Sequence, residues 1–299
     1  MYTGIILAVV AIVLGGIGYY WWTLADRKSI AWKEKSPFSY EVPNQGNIHA
    51  SFVVGVETGA CTRDAVVDEE VLRLIRKGVL EVKTDADPKL ILHPERMNEE
   101  PCGKALLELL QGAAAESPDP SSNQLSIAET KAYGKAHYKQ VREFVLKCLA
   151  DGDKYMADNG HITSEICEIR KLTKSGEAEF KAALGVRRMV RDFEKAKAAE
   201  KASTPEEYLP LLPYAVLFGY TDEFEESLKN AYGEKAFAGE CAAEFENARW
   251  AVKFAEALAA HMVLIEQTKK WRRGFIGGFY LASSTADGFD YGKKTGGVR

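Results

Sequence analysis

One stretch near the start of the chain constrains its fold more than any other feature. Residues 2–24 include no charged side chain, whereas charges recur throughout the rest of the sequence. A helix of about 23 residues is roughly 34 Å long, and the hydrocarbon core of a bilayer is about 30 Å thick. The stretch therefore predicts a transmembrane anchor over residues 1–25, with residues 2–24 in contact with the lipid bilayer.

The flanks of this stretch favour an anchor over the alternative, a cleaved signal peptide. A signal peptide begins with basic residues and has a shorter apolar run, and this sequence has neither. The stretch ends in four aromatic residues of the kind found at membrane interfaces: Tyr19, Tyr20, Trp21 and Trp22. Basic residues follow it but do not precede it: Arg27, Lys28, Lys33 and Lys35. The positive-inside rule then predicts a single-pass protein with its N-terminus outside and its body in the cytoplasm.

The cysteines and the composition indicate a reduced, folded body. The five cysteines are widely scattered and form no C-x-x-C pair, which is typical of buried thiols rather than a disulfide framework. The chain is 46% hydrophobic and 27% charged, which excludes a disordered or collagen-like protein. Its net charge of −4 provides no overall attraction to nucleic acid or to anionic lipid.

Proline, glycine and hydrophobic periodicity divide the body into four regions. Residues 26–61 contain prolines and glycines with little periodicity, so we expect a juxtamembrane linker in extended form. Residues 62–160 are predicted to form a tandem winged-helix-like region, and residues 161–271 a helical C-terminal domain. Residues 272–299 are predicted to form a Gly-rich, disordered tail. The predicted fold class is mainly α, with an N-terminal transmembrane helix and small β-wings in the body.

The winged-helix prediction is based on two segments. In the first, apolar residues recur at helical spacing, Gly78 stops the helix, and two short apolar runs flank a turn at residues 85–88. The apolar residues of that helix are Val67, Val71, Leu74 and Ile75. In the second, a helix over residues 135–149 is expected to end at Asp151 and Gly152, followed by a reduced wing.

Proline also determines the pattern after residue 200. Thr204 followed by Pro205 is typical of a helix start. Pro210 and Pro213 lie inside the next apolar stretch, so we expect it to break into short helices. A long helix is predicted over residues 241–271, and its many charges exclude a second membrane span.

Several segments resemble a bacterial membrane-protein family called domain of unknown function 2207. The most specific is TPEEYLPLLPYAVLFGYTDEFEESL, at residues 204–228, which resembles the family's E-x-Y-L-P-Y-A-I-A-L-G-V block. VDEEVLRLIRKGVLEV resembles its winged-helix segment, LTKSGEAEFKAALGVRRMVRDFEKA its basic helix, and FSYEVP its strand after the membrane. The resemblance implies a protein of the bacterial inner membrane with a cytosolic winged-helix region of unassigned activity. This chain would be a reduced, single-span version without the family's extracytoplasmic domain.

No residue pattern in the sequence matches a known catalytic motif. We find no Ser/His/Asp signature, no P-loop and no dinucleotide-binding glycine motif. The nearest metal candidates are Cys148, His161 and Cys167, but no zinc motif uses their spacing. Cys148 also lies on the apolar face of its helix, which favours a core thiol. The sequence therefore predicts a protein that is not an enzyme and has no catalytic residue, metal or cofactor.

The remaining candidates for function lie on one basic helix and in the proline-containing block. Arg187, Arg188 and Arg191 could contact a partner or phosphate groups, and Tyr208 and Tyr214 could line the same surface. The alternatives are a solvated face or anionic lipid for the arginines, and core packing for the tyrosines. We predict a role in protein interaction, self-association or assembly at the membrane. The alternative is a membrane-tethered DNA-binding regulator, and nucleic acid is the less favoured partner.

Overall fold

A computed structural model describes most of the body of the chain. The described residues are Gly16 together with 33–85, 87–98, 100–120, 123–164, 169–196, 202–268, 275–276 and 279–281. The predicted anchor and its four interface aromatics, Tyr19, Tyr20, Trp21 and Trp22, lie outside these ranges. Within the described ranges, no helix combines the length and the apolar character that a membrane span requires.

The prediction of a mainly α fold is confirmed, because helices make up most of the described body. In chain order the α-helices are α1 (Ile48–Thr58), α2 (Ala65–Arg76), α3 (Pro101–Ala115), α4 (Ile127–Ala136), α5 (Tyr138–Asp158), α6 (Lys174–Arg191), α7 (Leu212–Phe218), α8 (Thr221–Tyr232), α9 (Glu234–Phe237) and α10 (Glu240–Thr268). The strands are β1 (Leu80–Lys83), β2 (Lys89–Leu92), β3 (Gln124–Ser126), β4 (Ile162–Ser164), β5 (Ile169–Leu172), β6 (Phe275–Ile276) and β7 (Phe279–Leu281).

Helix α2 is followed by the hairpin that the sequence predicts. Gly78 ends the helix with a left-handed φ of 69°, and β1 then pairs antiparallel with β2, with Leu80 opposite Leu92. The third strand of this sheet, β3, comes after α3 and pairs with β2. Residues 111–124 include Pro118, Pro120 and three serines, a composition that predicts a linker, but α3 continues to Ala115 and β3 begins at Gln124. The sheet therefore joins the two halves of the predicted tandem region.

Helix α5 corrects the expected end of the second helix. It passes through Asp151 and Gly152 and ends only at Asp158. Gly152 is required by packing rather than by a helix end, because a Cβ at this position would overlap the carbonyl oxygen of His49 in α1. The chain turns at Gly160, whose φ is 66°, and enters the antiparallel pair of β4 and β5.

The N-terminal part of the body corrects a second expectation. Residues 26–61 were predicted to run in extended form, but Ile48–Thr58 is a helix whose residues are almost all buried. Asn47 caps this helix by accepting a hydrogen bond from the backbone N–H of Ala50 at 2.8 Å. A helix that is buried on all sides lacks the amphipathic periodicity by which helices are recognised. That is why the sequence pattern concealed it.

One hydrophobic core runs through the described body, from Ile48 to Met262. The long helix α10 packs against α2 and α4, and α1 packs against α5. The break at the prolines is confirmed, since a 3₁₀ helix over Pro205–Leu211 precedes α7 and α8. Within the tail predicted to be disordered, β6 and β7 pair with each other and β7 pairs with β5. These contacts bring α1, α2, α3 and α5 together around one cavity.

Candidate functional site

Three metal-binding or nucleophilic side chains from three different helices meet in the body. His49 of α1, Cys102 of α3 and Cys148 of α5 each bring one ligand-type atom within 4.8 Å of the other two. The relative exposure is 8% for His49, 3% for Cys102 and 0% for Cys148. We refer to His49, Cys102 and Cys148 as the thiol–histidine cluster.

Helix geometry places the carboxylates around this cluster. On α5, Cys148, Asp151 and Gly152 stand at i, i+3 and i+4 and therefore share one face, which packs on α1. Gly152 permits the close approach that brings Asp151 to His49. On α2, Glu70 and Arg73 are three residues apart, and Arg73 donates to Glu70 at 2.6 Å.

His49 is held between two carboxylates. Its Nδ1 lies 2.7 Å from Asp151 Oδ2, and its Nε2 lies 2.7 Å from Glu70 Oε1. Burial alone would lower the pKa of His49, but its hydrogen bonds to Asp151, Cys102 and Glu70 raise that pKa well above the ordinary value. With a carboxylate at each nitrogen, both nitrogens act as donors and the ring is an imidazolium at neutral pH.

The two cysteines have opposite protonation states. Cys102 follows Pro101 in the first turn of α3, where the helix dipole favours a negative charge. A hydrogen bond from Cys148 opposes the effect of burial and, with the hydrogen bond and positive charge of His49, lowers the pKa of Cys102 to about 6. Burial raises the pKa of Cys148 well above the ordinary thiol value. At neutral pH the pair therefore consists of a Cys102 thiolate and a Cys148 thiol.

A cavity of about 360 Å³ opens above Cys102. Its lining includes His49, Cys102 and a ring of charged side chains, whereas Cys148 lies behind the cluster in the core. The charged lining residues are Glu70, Arg73, Lys77, Glu100 and Asp151. Each cation of this lining has a carboxylate partner, because Arg73 and Lys77 both pair with Glu100 and His49 pairs with Glu70.

The thiol–histidine cluster has the donor types of a zinc or copper(I) site, so its fit to a metal must be considered. A histidine ligand gives the metal the lone pair of one ring nitrogen, yet both nitrogens of His49 donate to carboxylates at 2.7 Å. A metal ion would have to displace Asp151 or Glu70 from the ring. The described arrangement therefore fits a thiolate–imidazolium pair better than a metal site.

The metal candidates considered from sequence only partly coincide with this cluster. Cys148 belongs to it, but His161 lies directly before β4 and its Nδ1 is 3.4 Å from Ser175 Oγ. Cys167 lies outside the described residues. His49 and Cys102 were missed because they stand far apart in the chain. The one available signal was the Pro101-Cys102 pair at a helix start, where a thiol is activated by position.

The three predicted surface arginines of α6 bind another part of the same chain. Arg187 is only 6% exposed and donates to Tyr220 Oη at 2.7 Å. Arg188 donates to the Ser36 carbonyl and stacks over the Phe38 ring, 4.4 Å from its centroid. Arg191 pairs with Glu34 at 3.1 Å. These arginines fasten residues 33–38 to α6 rather than forming an open basic face.

The two predicted surface tyrosines are buried. Tyr208 is 4% exposed and packs edge-on against Phe193, with ring centroids 5.1 Å apart. Tyr214 is 2% exposed and donates to the Pro43 carbonyl at 3.3 Å. Their positions agree with the alternative of core packing. The structure does not bring the five predicted residues together on one exposed surface.

A buried carboxyl next to the site makes stability depend on pH. Glu69 is 2% exposed, and its Oε2 has no hydrogen-bond partner among the described residues. Burial and the charge of Glu70 raise the pKa of Glu69 from 4.5 to about 8. The folded state thus holds a proton that the unfolded state releases between these pH values, so the free energy of unfolding falls as the pH rises through this range.

We predict that Glu69→Gln raises the melting temperature at pH 8.5 by several degrees and changes it little at pH 5. The amide keeps the shape of the protonated side chain and cannot ionise, and about 1 kcal/mol shifts the melting temperature of a body of this size by roughly 2–4 °C. Thermal unfolding at both pH values measures this. Glu108→Gln, at an exposed position of α3, is the control and should change neither value. An equal effect of Glu69→Gln at both pH values would contradict the assignment.

Comparisons of the chain with protein-family models, with curated proteins and with solved structures give no match. The family resemblance of the segments at residues 38–43 and 204–228 therefore stays a prediction. The chemistry of the thiol–histidine cluster and the cavity above it is the observation from which a function can be inferred.

Proposed function

We propose that this chain is a thiol redox switch whose Cys102 and Cys148 form a reversible disulfide. The observation that supports it is the pairing of Cys102, in the first turn of α3, with a second thiol on one side and the His49 imidazolium on the other. Reactive cysteines occur in such electropositive surroundings next to a resolving thiol. Buried structural cysteines lack both features.

The chemistry assigns a different task to each member of the cluster. Cys102 is the nucleophile, since it is a thiolate and reaches the cavity. Cys148 is the resolving thiol, because its sulfur lies within 4.8 Å of the Cys102 sulfur but is closed off from solvent. When the disulfide forms, the two sulfurs together give two electrons to the oxidant, and the proton of Cys148 leaves with the reduced product. A thiol reductant reverses the step.

Oxidation would change the charges that hold α1. The thiolate of Cys102 disappears, so His49 loses the negative sulfur and keeps Glu70 and Asp151. The new bond also ties α3 to α5, and α5 packs on α1. Helix α1 follows directly on residues 33–44, which contact α6 and α7 through Arg188 and Tyr214. A change at the cluster can thus reach the segment that follows the predicted anchor.

We place this switch in a membrane-anchored protein, as the sequence predicts. Residues 2–24 would hold the chain in the bacterial inner membrane, with the N-terminus outside and the switch in the cytoplasm. The redox state would then control binding of a protein partner or self-association. A regulatory thiol pair of this kind does not make the chain an enzyme.

The winged-helix interpretation belongs to the same proposal. Helix α2 with β1 and β2, and helix α5 with β4 and β5, each show a helix, a left-handed glycine and a hairpin. This shared plan supports two winged-helix-like units, as does the family resemblance. The alternative role in DNA binding loses its main support, since Arg187, Arg188 and Arg191 bind residues of the same chain.

Peptide mapping tests the proposed switch. Full-length protein in lipid nanodiscs is reduced, oxidised with diamide, blocked by alkylation and digested. We expect a peptide pair joined by Cys102 and Cys148, which disappears after treatment with dithiothreitol. In the Cys61→Ser and Cys241→Ser controls the linkage should still form, because neither residue belongs to the cluster. Failure to form the linkage, with both thiols alkylated after oxidation, would contradict the proposal.

A further inference from the structure

We infer that the oxidant of this switch is a small hydroperoxide, which reacts with Cys102 from the cavity. This inference rests on the proposed function and names the class of molecule that oxidises it. Its support is the access to Cys102, the pairing of charges in the cavity and the position of proton donors.

Access to Cys102 favours a small molecule. The residue is 3% exposed, and it lines the cavity of about 360 Å³. A thiolate that attacks a disulfide must approach one sulfur in line with the other, so a protein disulfide would have to enter the cavity. Hydrogen peroxide has only two heavy atoms and enters without rearrangement of the lining.

The charges of the cavity favour a neutral molecule. Glutathione disulfide carries several carboxylates and needs cations to bind them. The cations of the lining are engaged: Arg73 pairs with Glu70 and Glu100, and Lys77 with Glu100. A hydroperoxide is uncharged at neutral pH and requires no counter-ion. The cavity therefore excludes one common class of biological oxidant and admits another.

The cluster supplies what cleavage of an O–O bond requires. The Cys102 thiolate attacks the terminal oxygen of ROOH, the S–O bond forms, and the O–O bond breaks with release of RO⁻. The His49 imidazolium, whose two N–H groups are held by Asp151 and Glu70, releases one of these hydrogen bonds and donates that proton to RO⁻, which leaves as ROH, or as water when hydrogen peroxide reacts. Cys102 is now a sulfenic acid.

Cys148 completes the reaction. Its sulfur attacks the sulfur of the sulfenic acid, the S–S bond forms, and the hydroxyl group leaves with the proton of Cys148 as water. The overall reaction turns two thiols and one hydroperoxide into one disulfide, one water and one ROH. No further oxidant or reductant is needed. Cys148 lies within 4.8 Å of Cys102, so this second step requires no approach of another chain.

Rates of thiol loss test the inference. Reduced full-length protein in nanodiscs is mixed with hydrogen peroxide or with glutathione disulfide, quenched by alkylation and analysed by mass spectrometry. We expect hydrogen peroxide to oxidise Cys102 about a hundredfold faster than Cys61 of the same molecule, given the thiolate and the general acid. Glutathione disulfide should neither leave an adduct on Cys102 nor form the Cys102–Cys148 linkage, into which Cys148 would convert any such adduct. Equal rates of peroxide oxidation at Cys102 and Cys61, or either product of glutathione disulfide, would overturn it.

Variants separate the roles within the cluster. Cys148→Ser should stop the reaction at the sulfenic acid, which a dione reagent traps on Cys102. His49→Gln should slow the peroxide reaction and change its pH profile. Asp151→Asn removes one partner of His49 at a half-exposed position and should slow the reaction less, which provides a second test where His49→Gln fails to fold. Peroxide rates unchanged in Asp151→Asn and in any folded His49→Gln would contradict the role of His49.

The two proposals fail in different ways. If diamide links Cys102 to Cys148 and hydrogen peroxide does not, the proposed redox switch is supported and the inference that a hydroperoxide oxidises it is wrong. If neither reagent links the two sulfurs, both proposals are wrong.

Discussion

The rate at which iodoacetamide alkylates Cys102 is expected to increase with pH, with the midpoint of the increase near pH 6. This is the value to which the pKa of Cys102 is lowered from an ordinary 9.0. Only the thiolate reacts, so the pH profile of the rate reports the ionisation of the sulfur. In His49→Gln the midpoint should move upward by one unit or more, because an uncharged amide replaces the imidazolium. The rates are read residue by residue from peptide masses, in the reduced full-length chain.

Two further variants make this prediction specific. Cys148→Ala removes the hydrogen bond that contributes most to the low pKa of Cys102, so its midpoint should also move upward. Cys241→Ser removes a buried thiol outside the cluster and should leave the midpoint where it is. A wild-type midpoint above pH 8, or one that does not respond to His49→Gln and Cys148→Ala, would show that Cys102 is an ordinary buried thiol.

Gly152→Ala is expected to damage both the fold and the cluster. A Cβ at this position would overlap the His49 carbonyl, so α1 and α5 must move apart. Overpacking of a helix contact costs about 1–3 kcal/mol, and we expect the upper end because the obstacle is backbone. The melting temperature should fall by roughly 10 °C. The Cys102 midpoint should rise, since His49 moves with α1.

Gly112→Ala is the matched control for this change. Gly112 also lies inside a helix, α3, but the Cβ there would meet only the hydroxyl end of the Tyr133 side chain. The hydroxyl must shift from its 3.2 Å hydrogen bond to Gln140, and the preference of alanine over glycine in a helix, about 1 kcal/mol, offsets part of that cost. We expect a smaller loss of stability than in Gly152→Ala and an unchanged Cys102 midpoint. If Gly152→Ala were as mild as Gly112→Ala, the close contact between α1 and α5 would not hold in solution.

The sequence was informative where one local signal sufficed. The apolar spacing of α2, the glycine that ends it and the following turn predicted a helix and a hairpin, and Pro210 and Pro213 predicted the break into short helices. Prediction from the sequence failed where tertiary packing, and not the local residue pattern, determines the structure. Gly152 was read as a helix end, yet it lies inside α5 because α1 passes too close for a side chain. Helix α1 was missed because it is buried on all sides.

The site could not be read from the sequence for a related reason. His49, Cys102 and Cys148 lie on three helices, and their distances in the chain match no motif. Cys148 was interpreted as a core thiol because it lies on the apolar face of its helix, and it is buried as expected. The sequence pattern did not show that His49 and Cys102 lie next to it. Arg187, Arg188 and Arg191 show the reverse case. A run of basic residues suggested an exposed surface, but residues 33–38 cover it.

Equilibrium redox titration of the Cys102–Cys148 pair tests the central proposal most directly. Full-length protein in nanodiscs is brought to equilibrium with thiol–disulfide buffers whose potentials span roughly −350 to −120 mV, and the linked peptide is quantified by mass. We predict one two-electron transition, with a potential above the roughly −300 mV typical of structural disulfides, because a thiol of low pKa favours the reduced pair. Two thiols that stay reduced across the whole range would contradict the account.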